Sequence, residues 1–238
     1  MAHDFWAGAK DSAVGQPANV FLGFGHDFPE PDEIKPETYA ERYDPVTLIG
    51  VSGPIALKAG DQAQNFVSEG PLSAGSYYVL VNSKVGFASR TPSGYVRKSK
   101  AEDPTATTCS YGGNFGKNLI NLDPASDDSF VTKPVGHKLE IVPQVNPETV
   151  KVGEKFPVKV LLDGSPLPRA TVEAFFAGFY EDNEALAFSA STDKDGLVYI
   201  IPLRPGKWLA NVSHTVPYSD LKVCDREAYG ASLAFTIK

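Results

Sequence analysis

The fold is decided by three segments, LDGSPLPRATVEAFF (Leu162–Phe176), STDKDGLVYIIPL (Ser191–Leu203) and PGKWLANV (Pro205–Val212). Gly164 and Gly196 stand at points where the chain must turn, because glycine adopts positive φ without steric cost. The apolar runs between these turns are rich in β-branched and aromatic residues, which favour strands. The segments therefore predict consecutive strands of a small β-sandwich.

The same pattern extends over the whole C-terminal part of the chain. Asp193 and Asp195 can accept hydrogen bonds from their own backbone in an Asx turn before the next strand. Seven apolar segments follow Pro134 at sandwich-like intervals: HKLEIVPQV, KFPVKVLLDG, ATVEAFFAGF, ALAFSAST, GLVYIIPL, GKWLANVSHTV and ASLAFTIK. VKVLL and VEAFFAG mix alternation with continuous apolar runs, so we expect one face in the sandwich and the other partly covered by a neighbouring domain.

The N-terminal part has shorter apolar segments and longer connections. Between Ala18 and Gly136, turn signals separate short candidate strands. Asp27–Asp44 predicts a surface connection with a helical turn over Pro36–Arg42, and the weakly hydrophobic stretch Ala101–Pro134, which contains YGGNFGKN, predicts a long loop. We therefore expect two domains, a β-rich domain with long loops at 1–136 and a β-sandwich at 137–238.

Composition limits the possible functions. The chain of 238 residues is 42% hydrophobic and carries a formal net charge of −7, which disfavours binding to nucleic acid or anionic lipid. No apolar run reaches the roughly 18 to 20 residues of a membrane-spanning helix. HExxH, CxxC, GxSxG and P-loop signatures are absent from the sequence, so we expect a protein that is not an enzyme.

The cysteines and the N-terminal residues indicate in which cellular compartment the protein works. Cys109 and Cys224 are either two buried thiols or one disulfide, and their polar surroundings favour the disulfide. Met1 is the only methionine, and the small residue Ala2 before His3 suits signal peptidase. A mature chain that begins at or near His3 is therefore one expectation, and an ordinary cytosolic start is the alternative.

Several motifs resemble known families. The three segments quoted first resemble the transthyretin-like or carboxypeptidase-regulatory-like β-sandwich. They carry its motifs in order: G-x-P-L-x-x-A-x-V, T-D-x-x-G and G-x-W. Three further motifs precede that sandwich: AHDFW (Ala2–Trp6), GFGHDFP (Gly23–Pro29) and GHKLEIVPQVNP (Gly136–Pro147). With them, the whole chain resembles the NikM-like nickel-uptake-transporter proteins. The resemblance implies an all-β protein of two immunoglobulin-like or transthyretin-like sandwiches and a removed signal peptide. It also implies a periplasmic location and association with nickel or cobalt uptake beside a membrane transporter component.

Two of the four histidines have nearly the same surroundings. His3 and His26 are each followed by Asp-Phe, which supplies an imidazole, a carboxylate and an aromatic wall. Imidazole suits nickel, cobalt, copper and zinc, so we expect both rings to bind one ion. The family resemblance implies that this ion is nickel or cobalt. Asp4 or Asp27 would be a further ligand or would orient a ring. A free α-amine beside His3 could join them.

The alternatives for these residues are structural. His-Asp-Phe can be a strand edge whose Phe5, Trp6 and Phe28 pack in the core. His137 and His214 are weaker metal candidates. His137, at the domain junction, is expected to make a hydrogen bond more readily than to bind metal, and His214 is expected to face solvent or the domain interface.

A competing function is that of an interaction module that binds a protein or glycan without metal. Its candidate surface is an aromatic platform drawn from Tyr77, Tyr78, Tyr95, Tyr111 and Phe115. Strand packing, with one ring on each face, is the alternative for Tyr77 and Tyr78. Tyr111 and Phe115, in the glycine-rich stretch, are the better candidates for an exposed contact.

Overall fold

A computed structural model describes residues 3–122, 129–179 and 185–238. Met1 and Ala2, where the sequence suggests signal-peptide cleavage, lie outside this range. So does part of the connection that follows YGGNFGKN.

The described residues form eighteen strands and two short helices. The elements up to residue 122 are β1 (Asp4–Ala9), β2 (Asn19–Gly25), α1 (Pro36–Arg42), β3 (Thr47–Gly50), β4 (Gly53–Ile55), β5 (Leu57–Ala59), β6 (Asn65–Ser68), β7 (Ser76–Asn82), β8 (Gly86–Thr91), β9 (Gly94–Val96) and β10 (Thr108–Asn121). The elements that follow are β11 (Leu139–Pro143), a 3-10 helix (Pro147–Thr149), β12 (Phe156–Leu162), β13 (Ser165–Pro166), β14 (Thr171–Phe176), β15 (Phe188–Ser191), β16 (Leu197–Ile200), β17 (Gly206–Pro217) and β18 (Arg226–Ile237). The predicted all-β class is confirmed. Across the described ranges, no helix is long and apolar enough to cross a membrane.

The strands form three sheets. The N-terminal sheet has the order β1-β2-β6-β5, and the C-terminal sheet has the order β11-β12-β13, with β16 paired to β12. The central sheet has ten strands, of which eight follow the order β15-β14-β17-β18-β10-β7-β3-β4, with β8 paired to β10 and β9 paired to β8. β10 and β18 pair in parallel over nine residues, although more than a hundred residues separate them in the chain.

The central sheet is covered on both faces, because successive side chains of a strand point to opposite sides. In β7, Tyr78 belongs to the core shared with the C-terminal sheet, whereas Val79 and Val81 belong to the core shared with the N-terminal sheet. In β17, Trp208 packs in the first of these cores, and Leu209 packs beside Trp6 on the other face. The result is two β-sandwiches that share one central sheet.

Glycine allows β1 to lie directly on the central sheet. A Cβ atom at Gly116 of β10 would lie 2.9 Å from the backbone nitrogen of Ala7 and 2.7 Å from Cγ2 of Val81. Real Cβ atoms essentially never approach neighbours so closely. The absence of a side chain at residue 116 therefore permits the contact between β1 and β10 that fixes the N-terminal sheet.

Most local predictions are confirmed. All seven C-terminal segments are strands, and the predicted helical turn is α1. Gly164 and Gly196 both have a φ of 73°. Asp193 Oδ1 accepts hydrogen bonds of 2.9 Å from the backbone nitrogens of Asp195 and Leu197, which is the expected Asx turn. The predicted boundary near Gly136 remains a prediction; the central sheet takes strands from both sides of it.

The prediction of a loop over Ala101–Pro134 is wrong for its middle part. YGGNFGKN lies inside β10, a strand of fourteen residues with neighbours on both sides. Phe115, expected to be an exposed contact, is only 7% exposed and packs in the core under the C-terminal sheet. The strands that pair with most of this stretch, β7 and β18, lie far from it in the chain, so the local sequence gives little sign of the strand.

Candidate functional site

The register of β1 and β2 brings His3 and His26 together. Asp4 pairs with Gly25, so the residue before β1 and the residue after β2 are neighbours. Their ring centroids are 4.1 Å apart at an interplanar angle of 33°. The His3 ring also stacks on Phe24, with centroids 4.5 Å apart and an angle of 13°. The two predicted histidines therefore meet at the end of the β1–β2 strand pair, and we call them the histidine pair.

His26 carries the most distinctive atom of the pair. Its side chain is half-buried, and its Nδ1 atom is buried without a hydrogen-bond partner among the described residues. A buried polar atom left without a partner costs about 1–3 kcal/mol. A metal ion bound at this nitrogen would remove that cost once the side chain moved, because the atom is closed to solvent in this conformation.

The distance between the rings is compatible with one shared ion. An imidazole nitrogen binds a transition metal at about 2 Å, which puts the ion about 3 Å from the ring centroid. The centroids are 4.1 Å apart, but the planes are inclined by only 33°, so one ring would have to rotate for both in-plane lone pairs to meet at one ion. The donors themselves, two imidazole rings, suit nickel, cobalt, copper or zinc.

The two aspartates are held differently. Asp4 Oδ1 accepts a hydrogen bond of 2.9 Å from Asn211 Nδ2, which links β1 to β17. Asp27 is exposed, and its backbone oxygen accepts a hydrogen bond from the backbone nitrogen of Glu30 at 2.7 Å. Within residues 3–122, 129–179 and 185–238, no group of three His, Cys, Asp or Glu side chains is placed to hold an ion. The structure therefore brings together the imidazoles but not a complete protein ligand set.

A cleft of about 560 Å³ lies beside His3. His3, Asp4 and His214 all line it, together with Glu173 and Asn211 of the central sheet. His214 is half-buried at this cleft. Sequence reasoning missed Asn211, because nothing near it in the chain indicates that β17 passes under β1.

The aromatic residues of the two His-Asp-Phe motifs pack in the core, as the structural alternative expected. Phe5, Trp6 and Phe28 are 9%, 0% and 8% exposed, respectively. Trp6 meets Phe28 edge to face, with centroids 5.7 Å apart. The motif thus combines core anchors with imidazoles at the surface edge. Phe24, which supports His3, could have been found from its position two residues before His26 on the same strand face.

His137 lies in a different environment. Its ring packs near Phe115, with centroids 5.5 Å apart, and its Nε2 atom is buried without a hydrogen-bond partner among the described residues. The expected hydrogen bond at the domain junction is therefore not made by this atom. Burial lowers the pKa of His137 to about 4, with Lys117 adding to the shift and Glu140 opposing it.

This pKa predicts a dependence of stability on pH. The folded-state pKa of about 4 lies below the unfolded value of about 6.5, so the unfolded state takes up the proton first. The contribution of His137 to the free energy of unfolding is fully present above pH 6.5. It falls by up to about 3 kcal/mol as the pH approaches 4. Urea unfolding at several pH values should show that His137→Gln loses less stability over this window than the wild type. Parallel curves for the two proteins would contradict the prediction.

Lys117 and Glu140 form a buried ion pair beside His137. Lys117 Nζ lies 2.6 Å from Glu140 Oε1, and the two side chains are only 1% and 2% exposed. Glu140 also accepts hydrogen bonds from the backbone nitrogens of Val135 and Gly136 at 2.9 and 3.1 Å. Burial lowers the pKa of Lys117, and the neighbouring carboxylate opposes that shift. The pair joins β10 of the central sheet to β11 of the C-terminal sheet.

Cys109 and Cys224 form a disulfide, with Cα atoms 5.0 Å apart. It joins the start of β10 to the residues just before β18. Asp225 Oδ2 accepts a hydrogen bond of 2.8 Å from the Cys109 backbone nitrogen, and the other oxygen of Asp225 binds Lys100 Nζ. The disulfide and these contacts clamp one end of the parallel strand pair.

The five aromatic residues proposed as a platform do not share one surface. Tyr78 is fully buried and Tyr77 is half-buried on the opposite face of β7, as the strand-packing alternative expected. Tyr95 is 74% exposed. Tyr111 instead forms a half-buried cluster with Phe87 and Tyr218, with ring centroids 4.9 to 5.9 Å apart.

These features define an all-β protein of layered sandwiches with a histidine pair at the end of two paired strands of one outer sheet. Residues 1–216 match the family model described as a domain of unknown function, DUF4198, and the chain belongs to that family. A search of the curated proteins gave no match.

Among solved structures, the chain is similar to the D0-D1 domain of intimin, at 17% identity, with 98% of this chain and 97% of that chain covered and a TM-score of 0.23. It is also similar to three N-terminal domains of the outer capsid protein Hoc of bacteriophage RB49, at 10% identity, with 99% and 59% covered and a TM-score of 0.21. TM-scores this low carry no argument about fold or function.

Proposed function

We propose that this chain is an exported, non-enzymatic protein that binds Ni²⁺ or Co²⁺ through His3 and His26 and delivers the ion to an uptake system. The observation that carries the proposal is the histidine pair, with rings 4.1 Å apart and a buried Nδ1 of His26 that has no partner within the described residues. The resemblance to NikM-like proteins supports the choice of nickel or cobalt. Copper and zinc remain competitors, because both bind imidazole well.

The two rings leave coordination positions open, which suits a protein that passes its ion on. Water would fill these positions, or the α-amine that processing creates beside His3. Asp4, which follows His3 directly, accepts a hydrogen bond from Asn211 that holds the start of β1. The disulfide supports an oxidising compartment, and the periplasm satisfies that condition.

Calorimetric titration of tag-free protein tests the proposal. Ni²⁺ and Co²⁺ are expected to bind with a stoichiometry of one, and His3→Ala and His26→Ala are each expected to weaken binding by more than the 10–100-fold typical of groups outside the ligand set. His214→Ala, which alters the adjoining cleft, is the matched control and should bind as the wild type does. The titration is made on chains that start at Met1 and at His3, because the terminal amine differs between them.

Binding that survives in both His3→Ala and His26→Ala, or binding no tighter than millimolar in the wild type, would reject the metal function. The second candidate is then an interaction module without metal. The cluster of Phe87, Tyr111 and Tyr218 favours it, since half-buried aromatic rings beside a disulfide can stack on a sugar or on a partner protein.

A further inference from the structure

A second cleft, of about 300 Å³, is lined by three cations. Arg42 ends α1, Lys84 lies in the connection between β7 and β8, and Arg97 follows β9. No aspartate or glutamate is among the residues that line it. In a chain with a net charge of −7, this is a local concentration of positive charge. All three side chains are exposed, so a ligand can reach them.

Hydrogen bonds hold two of the three cationic side chains, Lys84 and Arg97, at the cleft. Lys84 Nζ donates to the carbonyl of Ala40 at 2.5 Å, and the Lys84 backbone nitrogen donates to the carbonyl of Arg42 at 2.8 Å. Arg97 Nη2 donates to the carbonyl of Lys84 at 3.1 Å. None of the ion pairs found in the described part of the chain includes Arg42, Lys84 or Arg97. The three positive charges are therefore not neutralised by a carboxylate there.

The glycines of YGGNFGKN form part of the cleft wall. A Cβ atom at Gly112 would lie 1.8 Å from the carbonyl oxygen of Ala228, and one at Gly113 would lie 3.0 Å from Ser83 Oγ. Gly112 must therefore stay without a side chain. Gly112, Gly113 and Gly86 line the cleft with backbone alone, which leaves room between the cations.

We propose that this cleft binds a small anion that carries carboxylate or phosphate groups. Guanidinium groups match these anions because two parallel N–H donors meet two oxygens. A volume of about 300 Å³ corresponds to about ten water molecules, which is the size of a small organic acid or a phosphate ester. The cleft is separate from the histidine pair, although Phe24 stacks on His3 and also lines the cleft. The proposal does not depend on metal binding.

Titration of the full chain with citrate and with inorganic phosphate, at low ionic strength and without metal, tests this site. Saturable binding of at least one anion is expected, and Arg42→Gln and Arg97→Gln are each expected to weaken it by about tenfold or more. Arg90→Gln is the matched control, because Arg90 is an exposed arginine of β8 that does not line the cleft. Thermal unfolding of each variant verifies that it remains folded.

The two anions distinguish the sources of the ligand. Preference for citrate assigns the site to carboxylates, and preference for phosphate assigns it to phosphate compounds. The proposal is overturned if neither anion binds at millimolar concentration. It is equally overturned if Arg90→Gln weakens binding as much as Arg42→Gln and Arg97→Gln, because the effect would then come from overall charge.

Discussion

Glu140→Gln is expected to lower the free energy of unfolding by about 3 kcal/mol, because it leaves Lys117 buried and charged without an anionic partner. Lys117 is only 1% exposed and lies 2.6 Å from the carboxylate. Lys117→Met is expected to cost a similar amount, since it leaves the carboxylate of Glu140 buried with two backbone donors alone. The effect is large because the lost partner cannot be replaced by water inside the core.

Equilibrium urea unfolding of the two single variants and of Lys117→Met/Glu140→Gln measures the coupling. The double variant should lose less stability than the sum of the single losses, by about 1–3 kcal/mol. Lys138→Met is the matched control: its ion pair with Asp163 is 2.8 Å long but 37% and 61% exposed, so removing it should cost less than about 1 kcal/mol. If Glu140→Gln and Lys117→Met each lose as little stability as Lys138→Met, the buried ion pair does not stabilise the fold as predicted.

Reduction of the disulfide between Cys109 and Cys224 is expected to destabilise the protein by about 4 kcal/mol. The bond closes a loop with a sequence separation of 115, and the loss of chain entropy in the unfolded state grows with loop length. The bond also holds the start of β10 beside β18, where the parallel pairing begins. Its loss should therefore loosen this end of the central sheet first.

Unfolding of the wild type with and without reductant, and of Cys109→Ala/Cys224→Ala, measures this effect. The reduced wild type and the double variant should agree within about 1 kcal/mol, because both lack only the covalent link and small buried sulfur contacts. Intact mass under both conditions verifies the redox state. Equal midpoints for the oxidised and reduced wild type would show that the link contributes nothing to stability.

The sequence predicts well those features that depend on local chemistry. The glycine and aspartate turns around Gly164 and Asp193 appear as expected, because turn geometry depends on a few adjacent residues. The segment VEAFFAG mixes alternating and continuous apolar residues, which predicts that both faces of its strand are covered. Val172 and Ala174 do pack in the core under the C-terminal sheet, while Phe175 packs with Phe28 on the other face.

Features that depend on distant pairing could not be predicted. Lys117 stands between glycine and asparagine in a glycine-rich stretch, where a lysine normally faces solvent. It is buried only because β10 lies between β7 and β18 and beneath β11, which supplies Glu140. The only local sign is Glu140 itself, an acid within the apolar run LEIV. Phe115, two residues earlier on β10, is buried for the same reason.

In the candidate site, too, local sequence features could be predicted and contacts between distant strands could not. The repeated His-Asp-Phe motif indicated that His3 and His26 belong together, and the antiparallel register of β1 and β2 places them side by side. Asn211, which holds Asp4, and His214, which lines the same cleft, come from β17. Their relation to β1 exists only in the folded chain.

X-ray absorption at the nickel edge, on protein loaded with one equivalent of Ni²⁺, tests the central claim most directly. The histidine pair predicts a spectrum with scattering from two imidazole rings in the wild type and from one ring in His26→Ala. A spectrum without imidazole scattering, or one left unchanged by His26→Ala, would contradict metal binding by His3 and His26.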